Sequence, residues 1–134
     1  MTAKLFEPVQ LGDIQLANRV VMAPMTRSRA GPGDAPTALN VEYYRQRASA
    51  GLIVSEGVQP SANGKGYCRT PGLHTDAQVA GWRAVTDAVH AAGGRIVAQL
   101  MHCGRVGIHL NKDPGAETFF FFNDTATTEI YTDA

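Results

Sequence analysis

Three short runs along the chain carry apolar residues on successive positions instead of alternating ones: residues 19–23 (Arg-Val-Val-Met-Ala), 52–55 (Leu-Ile-Val-Ser) and 95–100 (Arg-Ile-Val-Ala-Gln-Leu). Short, β-branched runs of that kind predict strands covered on both faces, as in parallel sheets. Two helical patterns separate them. The first spans residues 38–49, with Thr37 as its N-cap and Gly51 just past its end. The second spans residues 77–92, capped by Thr75 or Asp76, with Val79, Trp82, Val85 and Val89 at helical spacing and Gly93-Gly94 as the stop. Ahead of the first strand, residues 9–16 predict a small hairpin turning at Gly12-Asp13.

The order strand, helix, strand, helix, strand makes two successive βαβ units, which stack into a parallel sheet by the right-handed crossover rule. An open dinucleotide-binding sheet needs a glycine-rich loop after its first strand. Here that strand runs into Ala23-Pro24-Met25-Thr26 instead. Unusual residues stand at all three strand ends, where a βα barrel builds its site. The predicted fold is therefore α/β, about three βα units from the N-terminal part of a TIM (β/α)8 barrel, whose complete form has roughly 250 residues.

Composition changes this picture little. Twelve basic and twelve acidic residues give a formal net charge of zero, which points away from nucleic acid or an anionic membrane as partner. No apolar run reaches the roughly 18 residues of a membrane helix, and the N-terminus shows no secretory h-region. Two distant cysteines, Cys68 and Cys103, fit a reducing compartment, so the expected location is cytoplasmic. Cys68, His74, His102 and Cys103 lack the paired spacing of a structural zinc site, and no metal is expected.

The chemistry lies at the strand ends. Pro24 fixes φ and turns the chain off the first strand. Thr26 presents a hydroxyl, and Gln99 an amide that donates and accepts side by side. Gly57 lets a planar ligand approach the backbone. A hydroxyl, an amide and bare backbone suit a flat heterocycle with an imide edge, of which flavin is one. Each also has a plainer reading: Thr26 as a loop cap, Gln99 as a satisfied strand-end amide, Trp82 as core. Glu56 is expected to be buried, accepting hydrogen bonds from Asn18 or Arg19. Tyr43-Tyr44-Arg45-Gln46-Arg47 is expected to form one face of the first helix.

At these residues the chain resembles the Old Yellow Enzyme family of flavin-dependent ene-reductases, in particular the N-ethylmaleimide reductase type. The resemblance is carried by Leu5-Phe6-Glu7-Pro8, Asn18-Arg19-Val20-Val21-Met22-Ala23-Pro24-Met25-Thr26-Arg27, Tyr43-Tyr44-Arg45-Gln46-Arg47-Ala48-Ser49-Ala50-Gly51-Leu52-Ile53 and Gln99-Leu100-Met101-His102-Cys103-Gly104-Arg105. It implies FMN bound at the C-terminal mouth of the barrel, with Ala23, Pro24 and Met25 beside the ring and Thr26 donating toward O4. It also implies Gly57 at the ring edge and Gln99 on the pyrimidine edge. Tyr67 and Met101 would line the substrate pocket; many relatives carry Trp where this chain has Met101. The implied reaction passes hydride from NADPH or NADH through FMN to an activated alkene, such as an enone, maleimide or nitro compound. The resemblance places the substrate-gripping His/His or His/Asn pair, the proton-donating Tyr and the phosphate-binding Arg residues on later strands. No catalytic residue is assigned here, and His90, His102, His109 and Tyr131 do not inherit those roles. Two rival readings are a dienoyl-CoA reductase-like flavin/iron–sulfur enzyme and a non-catalytic FMN-binding module.

The last residues stand apart. Phe119-Phe120-Phe121-Phe122 precedes Asn123-Asp124-Thr125-Ala126-Thr127-Thr128-Glu129-Ile130-Tyr131-Thr132, and those ten residues resemble the translation of a common short-read sequencing adapter. Residues 1–118 are thus expected to be a partial FMN-binding βα barrel with its hairpin, and residues 119–134 a non-native tail. The chain as written is expected to be poorly soluble and inactive.

Overall fold

The computed structural model describes residues 4–112 and 114–116; the expected tail lies outside them. A hairpin comes first, β1 (Val9–Leu11) and β2 (Ile14–Leu16), antiparallel with Leu11 opposite Ile14. Its turn holds Gly12 at φ +56°, the left-handed region that glycine enters without a Cβ penalty. A parallel sheet follows in the order β3 (Val21–Met22), β4 (Leu52–Val58), β5 (Ile96–Leu100). Helix α1 (Ala38–Arg45) connects the first pair and α2 (Asp76–Ala91) the second. The expected βαβαβ order is present.

The core lies between the two helices and the sheet. Tyr44 and Ala48 on the α1 side, Trp82, Val85 and Val89 of α2, and Ile53 and Val58 of β4 form one buried cluster. The Tyr44 and Trp82 rings lie 5.9 Å apart, and the Trp82 indole N–H donates to the Gly72 carbonyl at 3.0 Å. Helix α2 starts as expected. The Thr75 hydroxyl accepts the Gln78 N–H, while Gln78 Oε1 accepts the N–H groups of His74 and Thr75, a capping box. It ends in a Schellman arrangement: Gly93 N–H reaches His90 O, Gly94 N–H reaches Val89 O, and Gly93 sits at φ +81°.

Several expectations need correction. Helix α1 stops at Arg45, not near residue 49, and tight turns carry the chain to β4. Gly51 is not its left-handed cap. It is glycine because a Cβ there would run into the Asn18 carbonyl. Residues 43–47 do not form one face, since Tyr44 is fully buried while Arg45 is exposed beside Glu42. Val79, at 44% exposure, falls off the α2 stripe. Only β4 is covered on both faces. The outer strands each keep an open side, with Val21 at 51% and Leu100 at 62% exposure, because among the described residues the sheet has no further strand beside either of them.

Candidate functional site

Because β3, β4 and β5 run parallel, their C-terminal ends share one edge of the sheet. Ala23, Pro24, Met25 and Thr26 leave the end of β3 and are all exposed. Gln99 stands near the end of β5, also exposed, with Gly57 as its register partner on β4. The three motifs singled out from sequence therefore reach the same rim. Tyr67 is exposed in the loop after β4, and Met101 follows β5 with its backbone N–H on the Val58 carbonyl at 2.9 Å. Gly57 is buried, and a Cβ on it would lie 2.5 Å from Met101 Cε. The glycine thus makes room for the Met101 thioether.

Beneath this rim the strand is irregular. Ile53 and Val54 pair with Ile96 and Val97, but Gly57 pairs with Gln99, so β4 carries one residue more than β5 across that stretch. This is a bulge at Ser55-Glu56, and bulges re-aim side chains. Both residues are fully buried. Ser55 Oγ accepts the Gln99 backbone N–H at 3.1 Å and donates to the Glu56 carbonyl at 2.8 Å. Glu56 Oε2 accepts the Arg27 backbone N–H at 3.1 Å. Its Oε1 accepts the Tyr44 hydroxyl at 3.2 Å and the Asn40 amide at 3.4 Å. The Glu56 N–H in turn donates to the Tyr44 hydroxyl at 2.8 Å. Burial pushes the Glu56 carboxyl above its ordinary range, against the hydrogen bonds from Arg27, Tyr44 and Asn40. Burial likewise pushes the Tyr44 phenol upward.

The expected partners of Glu56 were wrong. Asn18 instead donates to Ser49 O and accepts the N–H groups of Val20 and Gly51. Asn40 and Tyr44 took their place, and their spacing of four puts both on one face of α1. That spacing was the available signal. A second buried polar group also went unread. Asp34 and Lys65 form an ion pair, Gln59 donates to Asp34 at 3.2 Å, and the Asp34 carbonyl accepts the Gly72 N–H. This group ties the loop after β4 to the loop before α1. His102 is exposed, its Nδ1 accepting the Gly104 N–H at 3.0 Å.

The rim itself differs from what supports it. Among the described residues, the Thr26 hydroxyl, the Gln99 carboxamide and the backbone N–H groups of Met25 and Thr26 make no hydrogen bond. Uncommitted donors and acceptors lining one exposed edge fit the imide edge of a flavin ring. Both cysteines are free, and no group of three or more His, Cys, Asp or Glu among the described residues could hold a metal. No helix of the described residues is long and apolar enough to cross a membrane.

Comparison with known proteins decides the family. Residues 4–131 match the NADH:flavin oxidoreductase / NADH oxidase family. The chain belongs to that family. It is 48% identical over 104 residues to a chanoclavine-I aldehyde reductase of Penicillium roqueforti, covering 76% of this chain and 28% of that enzyme. It is 44% identical over 115 residues to 12-oxophytodienoate reductase 7 of Oryza sativa subsp. japonica, covering 85% of this chain and 29% of the relative. Among solved structures, morphinone reductase in complex with tetrahydroNAD superposes with a TM-score of 0.79 at 49% identity, over 92% of this chain and 37% of that one. The Old Yellow Enzyme homologue of Zymomonas mobilis gives 0.74 at 50% identity, over 77% and 29%. The fold is thus part of the family's barrel, and the chain spans under a third of its curated relatives. The family match runs on beyond the described residues to residue 131, through Phe119-Phe120-Phe121-Phe122 and most of the ten residues that follow.

Proposed function

We propose that this chain is the cofactor-binding first part of an FMN-dependent oxidoreductase that uses NADPH or NADH to reduce the activated C=C bond of a small electrophilic alkene. One observation carries the reading. The Thr26 hydroxyl and the Gln99 side-chain carboxamide, uncommitted among the described residues, stand on the strand-end rim of a chain 49% identical to morphinone reductase. When bound, FMN supplies the hydride relay between nicotinamide and alkene. Ala23, Pro24 and Met25 would pack beside the ring, Thr26 would donate to its O4 side, Gln99 would grip the pyrimidine edge and Gly57 would border it. Tyr67 and Met101 would shape the substrate pocket. Enones, maleimides and nitro compounds are the expected substrates. No proton donor is proposed within this chain, which by itself is expected not to turn over. Residues 119–134 are read as a non-native tail on a partial barrel of residues 1–118. A cytoplasmic setting agrees with two free thiols.

The test is a long sequencing read of the source DNA across the codons for residues 114–124, followed by expression of the whole reading frame. The expected product is yellow, loaded with FMN, and oxidises NADPH only when an enone is present. A colourless product without enone-dependent oxidation would overturn the function. Genomic codons for the phenylalanine run would overturn the reading of the tail.

A further inference from the structure

We propose that the Ser55-Glu56 bulge is the positioning device of the flavin rim, with Glu56 holding the Thr26 segment in place through the Arg27 amide. This rests on the flavin reading of the strand ends. One bulge serves both sides of the rim. Ser55 Oγ takes the backbone N–H of Gln99 on β5, and Glu56 Oε2 takes the backbone N–H of the residue after Thr26. Without the extra residue, alternation along β4 would send Ser55 and Glu56 to opposite faces of the sheet. The bulge departs from that alternation, and Ser55 and Glu56 each reach a different flank.

The hydrogen-bond count shows why the second residue is a carboxylate. Glu56 meets three donors: the Arg27 N–H, the Tyr44 hydroxyl and the Asn40 amide. The Tyr44 hydroxyl already accepts the Glu56 N–H, so its own proton is free to go to Glu56. An ionised carboxylate is acceptor-only and satisfies all three. A glutamine would turn an N–H toward at least one of them. Asn40 and Tyr44 belong to α1, and the Asn40 Oδ1 accepts the Thr37 N–H at 2.9 Å at the start of that helix. The rim segment is therefore fastened to the helix through Glu56 and by the Arg27 guanidinium, 4.7 Å over the Tyr43 ring, and not through apolar packing, since Pro24, Met25 and Thr26 are exposed. A buried carboxylate is a costly way to hold two elements together when only stability is at stake. The upward push on its carboxyl agrees with that cost.

The test compares the full 134-residue chain, kept in solution on a maltose-binding-protein fusion, with its Glu56→Gln and Tyr44→Phe variants. Peptide-resolved hydrogen exchange is read over residues 23–30 and over α2, and in the same substitutions made in the chain extended to its full reading frame, FMN binding is read by fluorescence quenching and the visible absorption band of the bound flavin. Glu56→Gln is expected to speed exchange of residues 23–30 about tenfold, the effect of stranding one buried donor. FMN binding should weaken by a similar factor with a shifted absorption band, and α2 should be unchanged. Tyr44→Phe keeps the ring packing and should give a smaller change in the same segment, which also serves if Glu56→Gln does not fold. Unchanged exchange over residues 23–30, or equal acceleration over α2, would overturn the proposal. A loosened segment in both variants, with no FMN bound by the unsubstituted chain extended to its full reading frame, would support the anchor and overturn the flavin reading.

Discussion

The two adjacent strands β4 and β5 pair in one parallel sheet yet are built on opposite terms. Along β4, from Leu52 to Val58, every residue but Val54 is buried, and both polar side chains within it are bonded to neighbouring elements. Along β5, every residue after Ile96 is exposed, and the Gln99 side-chain carboxamide is committed to nothing among the described residues. A polar group at the centre of the sheet is scaffold, because an unpaired one would be costly there. A polar group left uncommitted at the rim is available to a ligand. The difference separates residues that hold the site from residues that face its occupant, and it says which substitutions should affect stability and which should affect binding.

The sharpest way to break the contrast is to hollow out the centre. Trp82→Ala removes the ring beside Tyr44 and the hydrogen bond to Gly72 O. It should cost about 3–5 kcal/mol, the range for large-to-small changes in a core. Urea unfolding of the fusion-borne chain measures it, and a loss below about 1 kcal/mol would mean that α2 is not packed as described. Next comes overpacking. Gly51→Ala drives a Cβ into the Asn18 carbonyl at the entry to β4 and should cost about 1–3 kcal/mol.

At the rim the expectation reverses. Thr26→Ala and Gln99→Ala remove exposed side chains with no partner among the described residues, so stability should stay within about 0.5 kcal/mol. FMN binding should fall about tenfold or more in the chain extended to its full reading frame, since each loses a hydrogen bond to the ring. Equal losses of stability at centre and rim would erase the distinction between the strands.

How much of this was legible in the sequence follows from the same contrast. Continuous apolar runs located all three strands of the sheet, and the strand-end motifs located the rim, because those signals are local. The hairpin turn at Gly12 and the Thr75 cap were legible for the same reason. What escaped was cooperative. The bulge at Ser55-Glu56 exists only relative to β5, so no property of residues 52–58 alone announces it. Tyr44 sits in a polar run and becomes core only once α2 brings Trp82 against it.

The gentlest test sets two glutamates on one pH axis. Glu56 lies under the rim, and burial raises its carboxyl above the ordinary value of 4.5. The folded state therefore holds that proton more tightly than the unfolded chain. The contribution to stability is fully present below the ordinary value and is lost as pH rises through the raised one. Glu42 lies on the surface of α1, where first Arg45 and then Gln46 hold its carboxyl down to about 2. Its contribution is present above the ordinary value and is lost as pH falls through about 2. Carbon-detected NMR of the glutamate carboxyls, at low and high salt, separates them. One curve should be displaced upward and one down to about 2. Added salt should return Glu42 toward its ordinary value, because exposed pairs are screened, and leave Glu56 where it is. If both titrate together near the ordinary carboxylate value, Glu56 is in contact with water and the centre of β4 is not the closed scaffold that separates it from the rim.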